Sequence, residues 1–380
     1  MEKIQEMKKS VGIITFHASH NYGSMLQAYA LQQVILKMGF DCEIINFRTK
    51  KQKDFYKPMF LCGNWLQRIK RTLFYLSFIK DLKKKHQLFE DFLLHELVLS
   101  DKEYATLEEL KKADLKYDYY LSGSDQIWNT SCLDFDWAYF LPFVKQGRKI
   151  AYAPSLGPVP LQKYTVEQQK LVNELLGQYD SVSVREQETA MRLKEIAGKE
   201  YPVTMDPTLL LTSQDWERKI NDKPLIKGRY IFFYAPWYDE KVLSLVNSMA
   251  EYWKMPVVFS QFYYGLKNRK WITNKNFYFY LPAGPYEFLN LCKYATCIIG
   301  TSFHLVVFSI LLRVPFYTVN GLSDSRISNL LNLTGLQSQS IELSNSMIDI
   351  PINLDFDKAD KYIREERLAS LNWLQQSFLS

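Results

Sequence analysis

What the sequence has little of narrows its class. Five cysteines occur in 380 residues (Cys42, Cys62, Cys132, Cys292 and Cys297), an odd number with no C-x-x-C pair. That spacing excludes a disulfide framework and a zinc knuckle and points to a reducing, cytoplasmic compartment. No uninterrupted apolar run reaches the length of a membrane span. The nearest, Cys297 to Leu312, is broken by Thr301, Ser302, His304 and Ser309. The opening MEKIQEMKKS is polar and only a short apolar stretch follows it, so no signal peptide is expected. There is no G-x-G-x-x-G and no Walker-type lysine loop, which argues against a dinucleotide and against a P-loop. His17 and His20 lie three apart in a loop with no third ligand evident, so no metal is expected. No repeat period and no low-complexity tract occurs.

What is present is ordinary globular material with two biases. Hydrophobic residues make up 47% and charged residues 23%, enough for a large core. Aromatics are high at 15%, and such rings serve mainly to bury area. Net charge is +6. Between Arg48 and His86 stand 12 Lys/Arg against Asp54 and Asp81, so this segment carries 12 − 2 = +10 and the rest −4. Seven aromatics interleave with those charges: Phe55, Tyr56, Phe60, Trp65, Phe74, Tyr75 and Phe78. Such a segment suits peripheral contact with an anionic membrane surface. An ordinary surface helix would read the same way. No nucleic-acid-binding module is present, and no nucleic-acid partner is expected.

At this length two domains are expected. The apolar strand VGIITF (Val11–Phe16), a helix over Met25–Met38, Gly39 as stop and the strand CEIINF form a βαβ unit, hence a parallel sheet. Further strands are expected at Tyr117–Ser122, Lys149–Ala153 and Ser181–Val184. A second α/β series begins near Gly228, with strands at Arg229–Tyr234, Pro256–Ser260, Thr296–Ile299 and Val314–Val319. The expected architecture is therefore α/β, with two Rossmann-like domains in series and ligands in the cleft between them. Residues 1–195 form the first, with a basic, aromatic insertion at about 48–94. Residues 196–350 form the second. Residues 351–380 are a C-terminal helix that packs back on the first.

Four segments carry chemistry. In CIIGTSFHLVVFSILL a buried strand ends at Gly300 and a helix begins almost at once. Thr301 or Ser302 suits the N-cap, and Phe303 and His304 fall in the first turn. Free N–H groups and the positive end of the helix dipole there suit a phosphate or carboxylate. A histidine beside a bound anion is held protonated and can act as an acid. A capped core helix reads the same way. LSGSDQIWN places Asp125, Gln126, Trp128 and Asn129 in a loop after a strand, a set suited to hydroxyl recognition or to a capped turn. In SVSVREQET, Arg185 leaves a buried strand and can fork onto a carboxylate or phosphate, or pair with Glu186. The loop HASHNYGS offers His17, His20, Asn21 and Tyr22 as ligand contacts.

Together these segments resemble the polysaccharide pyruvyl transferase family. The matching pieces run in order over residues 11 to 335: NYG-x-x-LQAYALQ (Asn21–Gln32), GSDQIWN (Gly123–Asn129), YAPSLG (Tyr152–Gly157), SVRE (Ser183–Glu186), MDPTLLL (Met205–Leu211), SFH (Ser302–His304) and SRISNLL (Ser325–Leu331). The resemblance implies a fold like that of GT-B glycosyltransferases, with phosphoenolpyruvate as donor and co-substrate and no certain cofactor. It implies a pyruvate ketal bridging two hydroxyls of a sugar, in cell-surface polysaccharide or glycan synthesis. On this pattern His304 is the acid and Asp125 the base or acceptor-orienting group. Arg185 and Arg326 clamp the donor together with Thr301, Ser302 and Phe303. His17, Asn21, Tyr22, Gln27, Gln126, Trp128 and Asn129 face the acceptor, which a membrane contact would suit if it is lipid-linked. Ser302 stands where some branches carry Arg, and Leu305 where many members carry Gly. The alternatives are a GT-B glycosyltransferase using a nucleotide sugar and a non-catalytic sugar-binding protein on the same fold.

Overall fold

The computed structural model describes residues 8–379 apart from 59–64, 66–68, 70–71, 73–75, 159, 161–163, 237–238, 262–270, 272, 345–348 and 351–353. It divides into two compact units: residues 1–57, 90–211 and 366–380, and residues 58–89 and 212–365. The first unit runs on to Leu211, and the middle of the basic segment groups with the second. Phe60, Phe74 and Tyr75 of that segment lie outside the described residues.

In chain order, the first unit contains β1 (Ser10–Ile14), α1 (Tyr22–Lys37), β2 (Asp41–Ile44) and α2 (Lys50–Phe55). Helix α3 (Ile79–Glu96) begins within the second unit's residues and ends within the first's. Then come α4 (Leu107–Lys112), β3 (Tyr119–Ser122), β4 (Arg148–Ala151), α5 (Val166–Leu176), β5 (Ser181–Val182) and α6 (Gln187–Ala197). The strands pair all-parallel in the order β2-β1-β3-β4-β5. The central strands are buried along their length, which is why they read as continuous apolar runs. Helix α1 starts three residues before its apolar periodicity does, because Asn21 caps it: Oδ1 accepts from the N–H groups of Gly23 and Ser24 at 3.0 and 3.3 Å.

The second unit contains α7 (Ser213–Glu217), β6 (Ile231–Tyr234), α8 (Glu240–Trp253), β7 (Val257–Phe259), β8 (Phe277–Phe279), α9 (Pro285–Lys293), β9 (Cys297–Gly300), α10 (Phe303–Leu311), β10 (Phe316–Val319), α11 (Ser325–Thr334) and β11 (Ser340–Ile341). Its strands are also all parallel, in the order β11-β10-β9-β6-β7-β8. Strands β8 and β11, at the two edges, have three and two residues and escape a reading by periodicity. Helix α12 (Phe356–Leu379) closes the chain. Its final turns hold to the first unit: Ser370 Oγ accepts from Met205 N at 3.0 Å, and the Tyr119 hydroxyl donates to Phe378 O at 2.8 Å. Among the described residues no helix is long and apolar enough to cross a membrane.

In a parallel sheet every strand-to-helix loop leaves at the same end. The three motif loops of the first unit and the β9–α10 turn of the second all follow the carboxyl ends of their strands, where open α/β sheets bind ligands.

Candidate functional site

In the first unit the motif loops meet in a buried ionic cluster. Arg185 leaves β5 with a side chain only 2% exposed. Its Nη1 donates to Asp125 Oδ1 at 3.2 Å and to Asp206 Oδ2 at 3.0 Å, and its Nε approaches Glu186 Oε2 at 3.5 Å. Burial opposes the guanidinium charge, but Asp125, Asp206 and Glu186 outweigh it and hold the pKa above the ordinary arginine value. The carboxylates are held in turn. Asp125 Oδ2 accepts from Ser24 Oγ at 2.6 Å, Asp206 Oδ1 from the Thr208 hydroxyl at 2.7 Å, and Glu186 from Ser155 Oγ at 2.7 Å and from the Thr189 hydroxyl. Arg185 is thus the centre of an internal ion-pair cluster, with its Nη1 and Nε committed to three carboxylates. Asp125 is likewise committed on both oxygens.

Around this cluster the polar residues of the motif loops are mostly framework. Gln27 is fully buried; its Nε2 donates to Thr15 Oγ1 and Ser24 O, both at 2.9 Å, and its Oε1 accepts from Ser124 N at 3.2 Å. Tyr22 is buried in the core. Trp128 is 0% exposed, stacked on Phe140 at 4.8 Å and donating to Tyr139 O at 3.3 Å. It cannot serve as a platform for a sugar, because its indole is part of the hydrophobic core. Gln126 and Asn129 bond to each other at 2.8 Å, and a Cβ at Gly157, where φ is +65°, would collide with both. The YAPSLG turn therefore presses its backbone onto these two amides.

His17 is buried between Thr15 O at 3.1 Å and Asn46 Oδ1 at 3.3 Å. Burial lowers its pKa to about 4, and those hydrogen bonds only partly offset the effect. It is a neutral structural imidazole at physiological pH. His20 takes a separate role, bonding Glu90 at 2.9 Å and stacking on Tyr56. Arg48 grips the same Glu90 at 2.7 and 3.0 Å. Sequence reasoning also missed Asp134, which accepts from Ser19 Oγ and from the Tyr56 hydroxyl, both at 2.7 Å. Burial raises its pKa despite those bonds. Asp134 stands in a segment with no recognised motif, and Asp206 in the MDPTLLL segment of the family resemblance, from which no role is read for it.

In the second unit β9 delivers the chain to Gly300, where any Cβ would strike the Tyr234 carbonyl of β6 and the side chain of Leu305. Glycine is needed for that close approach. Ser302 is the N-cap residue of α10, yet its side chain makes no capping hydrogen bond. His304 sits in the first turn of α10, 7% exposed, with its ring edge-on to Phe303 at 5.2 Å. Arg326 lies at the start of α11, where Asp324 caps the helix and holds the guanidinium through two bonds of 3.0 and 2.6 Å. Burial raises the Asp324 pKa, but Arg326 outweighs it and the net shift is downward. The structure thus groups Asp125 with Arg185 in one unit, and Thr301, Ser302, Phe303 and His304 in the other.

Solved structures with the same architecture include the UDP-GlcNAc 2-epimerase of Methanocaldococcus jannaschii, in complex with UDP-GlcNAc and UDP. It is 14% identical with a TM-score of 0.52, over 95% of this chain and 93% of that one. A putative UDP-N-acetylglucosamine 2-epimerase from Listeria monocytogenes is 11% identical with a TM-score of 0.54, over 98% and 90%. These likenesses establish the two-domain α/β fold of GT-B enzymes. No curated protein matches the chain in sequence. A model of the polysaccharide pyruvyl transferase family does match, over residues 21–323. That span holds three of the four motif loops whole and the HASHNYGS loop from Asn21 onward, and the chain belongs to the polysaccharide pyruvyl transferase family of enzymes.

Proposed function

We propose that the enzyme transfers pyruvate from phosphoenolpyruvate to two hydroxyls of a sugar, forming a pyruvate ketal during glycan synthesis. The observation that carries this reading is the N-terminus of α10, uncapped by Ser302 and with His304 in its first turn. An anionic donor at that turn would accept its N–H groups and favour a charged imidazole beside it.

The chemistry balances with these parts. His304 delivers a proton to the methylene carbon, which makes the central carbon electrophilic. One sugar hydroxyl adds there, phosphate departs with its bridging oxygen, and the second hydroxyl closes the ketal. Two hydroxyl protons are released in all. One restores the proton that His304 gave to the new methyl group, and the other leaves on phosphate. General acid catalysis of this kind is worth roughly 10²–10⁴ in rate. In the first unit, the Asp125–Arg185–Asp206 cluster fixes the loops around the acceptor side instead of contacting substrate.

The acceptor is proposed to be lipid-linked, with the enzyme resting on an anionic membrane face. Trp65, Ile69 and Leu76 are exposed at helical positions four and seven apart within the segment of charge +10. That pattern suits an in-plane helix.

The test is incubation with phosphoenolpyruvate and a panel of sugar acceptors, read as phosphate release matched by one ketal per phosphate in product mass. Turnover of UDP-sugars instead, in keeping with the UDP-bound epimerase neighbour, would replace this reading with the nucleotide-sugar alternative.

A further inference from the structure

The second unit needs a cation for an anionic ligand, and the arginine expected for the task, Arg326, spends its Nε and Nη2 on Asp324. A different cation stands at the right end of the sheet. Lys85, on α3, reaches the carboxyl end of β7, where its Nζ donates to Ser260 O at 2.9 Å. The helix is seated firmly there. Leu88, one turn on, packs where Gly284 leaves no room for a Cβ, just beyond the end of β8. Phe89 offers its ring to the ammonium at 6.0 Å. The loop on which Lys85 rests is tied to its neighbour, since Gln261 Nε2 donates to Ala235 O beyond β6 at 3.0 Å.

Strand order turns this into a statement about the donor. Strands β9, β6 and β7 are consecutive and parallel, so the His304 turn and the Lys85 contact at Ser260 lie at one end of one sheet, on strands two apart. That separation is roughly 9–10 Å. A charge-assisted hydrogen bond of ~2.8 Å at each end leaves roughly 4 Å, the distance between the carboxylate and phosphate of a three-carbon enol phosphate. We infer that Lys85 binds one anionic group of the donor while the first turn of α10 binds the other. The inference rests on the donor reading above. An ammonium has three donors, so its bond to Ser260 is compatible with a ligand contact. Burial lowers the Lys85 pKa to about 7 in the ligand-free protein, which a bound anion would reverse.

The experiment is calorimetric titration of the full chain with phosphoenolpyruvate and, separately, with inorganic phosphate. Lys85→Met should weaken phosphoenolpyruvate binding tenfold or more, while Lys84→Met, an exposed neighbour on the same helix, should bind as the wild type does. On the unaltered protein, phosphoenolpyruvate should protect Lys85, but not Lys84, from an amine-acylating reagent read by peptide mass, which keeps the test independent of variant folding. Wild-type affinity in Lys85→Met, or equal acylation of Lys85 with and without donor, overturns the inference. Phosphate binding that depends on Lys85 in a protein that ignores phosphoenolpyruvate would instead overturn the donor reading and leave the anion site standing.

Discussion

Arg185 Nη1 donates to Asp125 Oδ1 at 3.2 Å inside the first unit. Two residues that the sequence assigns to opposite substrates, donor and acceptor, are thereby partners of each other. With Asp206 at 3.0 Å and Glu186 beside it, the arginine sits among three buried carboxylates. Removing one partner of a buried pair leaves the rest uncompensated, at a cost of about 3–5 kcal/mol. Arg185→Met should therefore lower the denaturant midpoint of the protein markedly. A variant of wild-type stability that binds donor poorly would restore the arginine to the donor site.

His17 makes stability depend on pH. Unfolded, it titrates near 6.5; folded, burial holds its pKa at about 4. Above 6.5 the imidazole is neutral in both states and contributes no pH dependence. As pH falls from 6.5 toward 4 the unfolded chain takes up a proton that the folded chain refuses, so stability falls by up to about 3 kcal/mol. Chemical denaturation of wild type and His17→Asn across that window should show a shallower slope in the variant. Parallel curves would mean that His17 is not neutral in the folded protein.

Gly300 sets the position of the His304 turn. An alanine methyl there meets the Tyr234 carbonyl and Leu305, and neither a strand backbone nor a packed leucine yields cheaply. Gly300→Ala should lose about 1–3 kcal/mol of stability and most phosphate release, since the turn must shift. Full activity in that variant would separate the turn from catalysis.

Much of the fold is legible because parallel strands buried on both faces leave uninterrupted apolar runs, as in VGIITF and CIIG. The strand, glycine and helix around His304 follow from that signal plus a cap-type serine. The rest depends on distance in sequence. Asp206 reaches Arg185 across 21 residues and Asp125 across 60, and no local pattern announces either meeting. Trp128 sits in a polar loop, yet Phe140, twelve residues on, covers it by stacking. Asn21, in a ligand-facing loop by sequence, turns out to spend its side chain on the α1 cap.

The exposed Trp65, Ile69 and Leu76 should bring the protein to anionic vesicles. Each basic residue near such a surface contributes ~1 kcal/mol. Flotation with vesicles containing an anionic phospholipid at physiological salt should carry the wild type. A variant with Lys80, Lys83 and Lys84 changed to Glu should stay behind, and both proteins should stay behind with zwitterionic vesicles. Equal flotation of the two with anionic vesicles would remove the electrostatic part of the proposal.

We propose that His304, in the first turn of α10, donates the proton that activates phosphoenolpyruvate. Its most direct test is the rate of acceptor-dependent phosphate release from phosphoenolpyruvate by His304→Ala, measured alongside its melting temperature. A fall of roughly 10²–10⁴ in kcat is expected in a protein that melts as the wild type does. Turnover within a few-fold of wild type would contradict it.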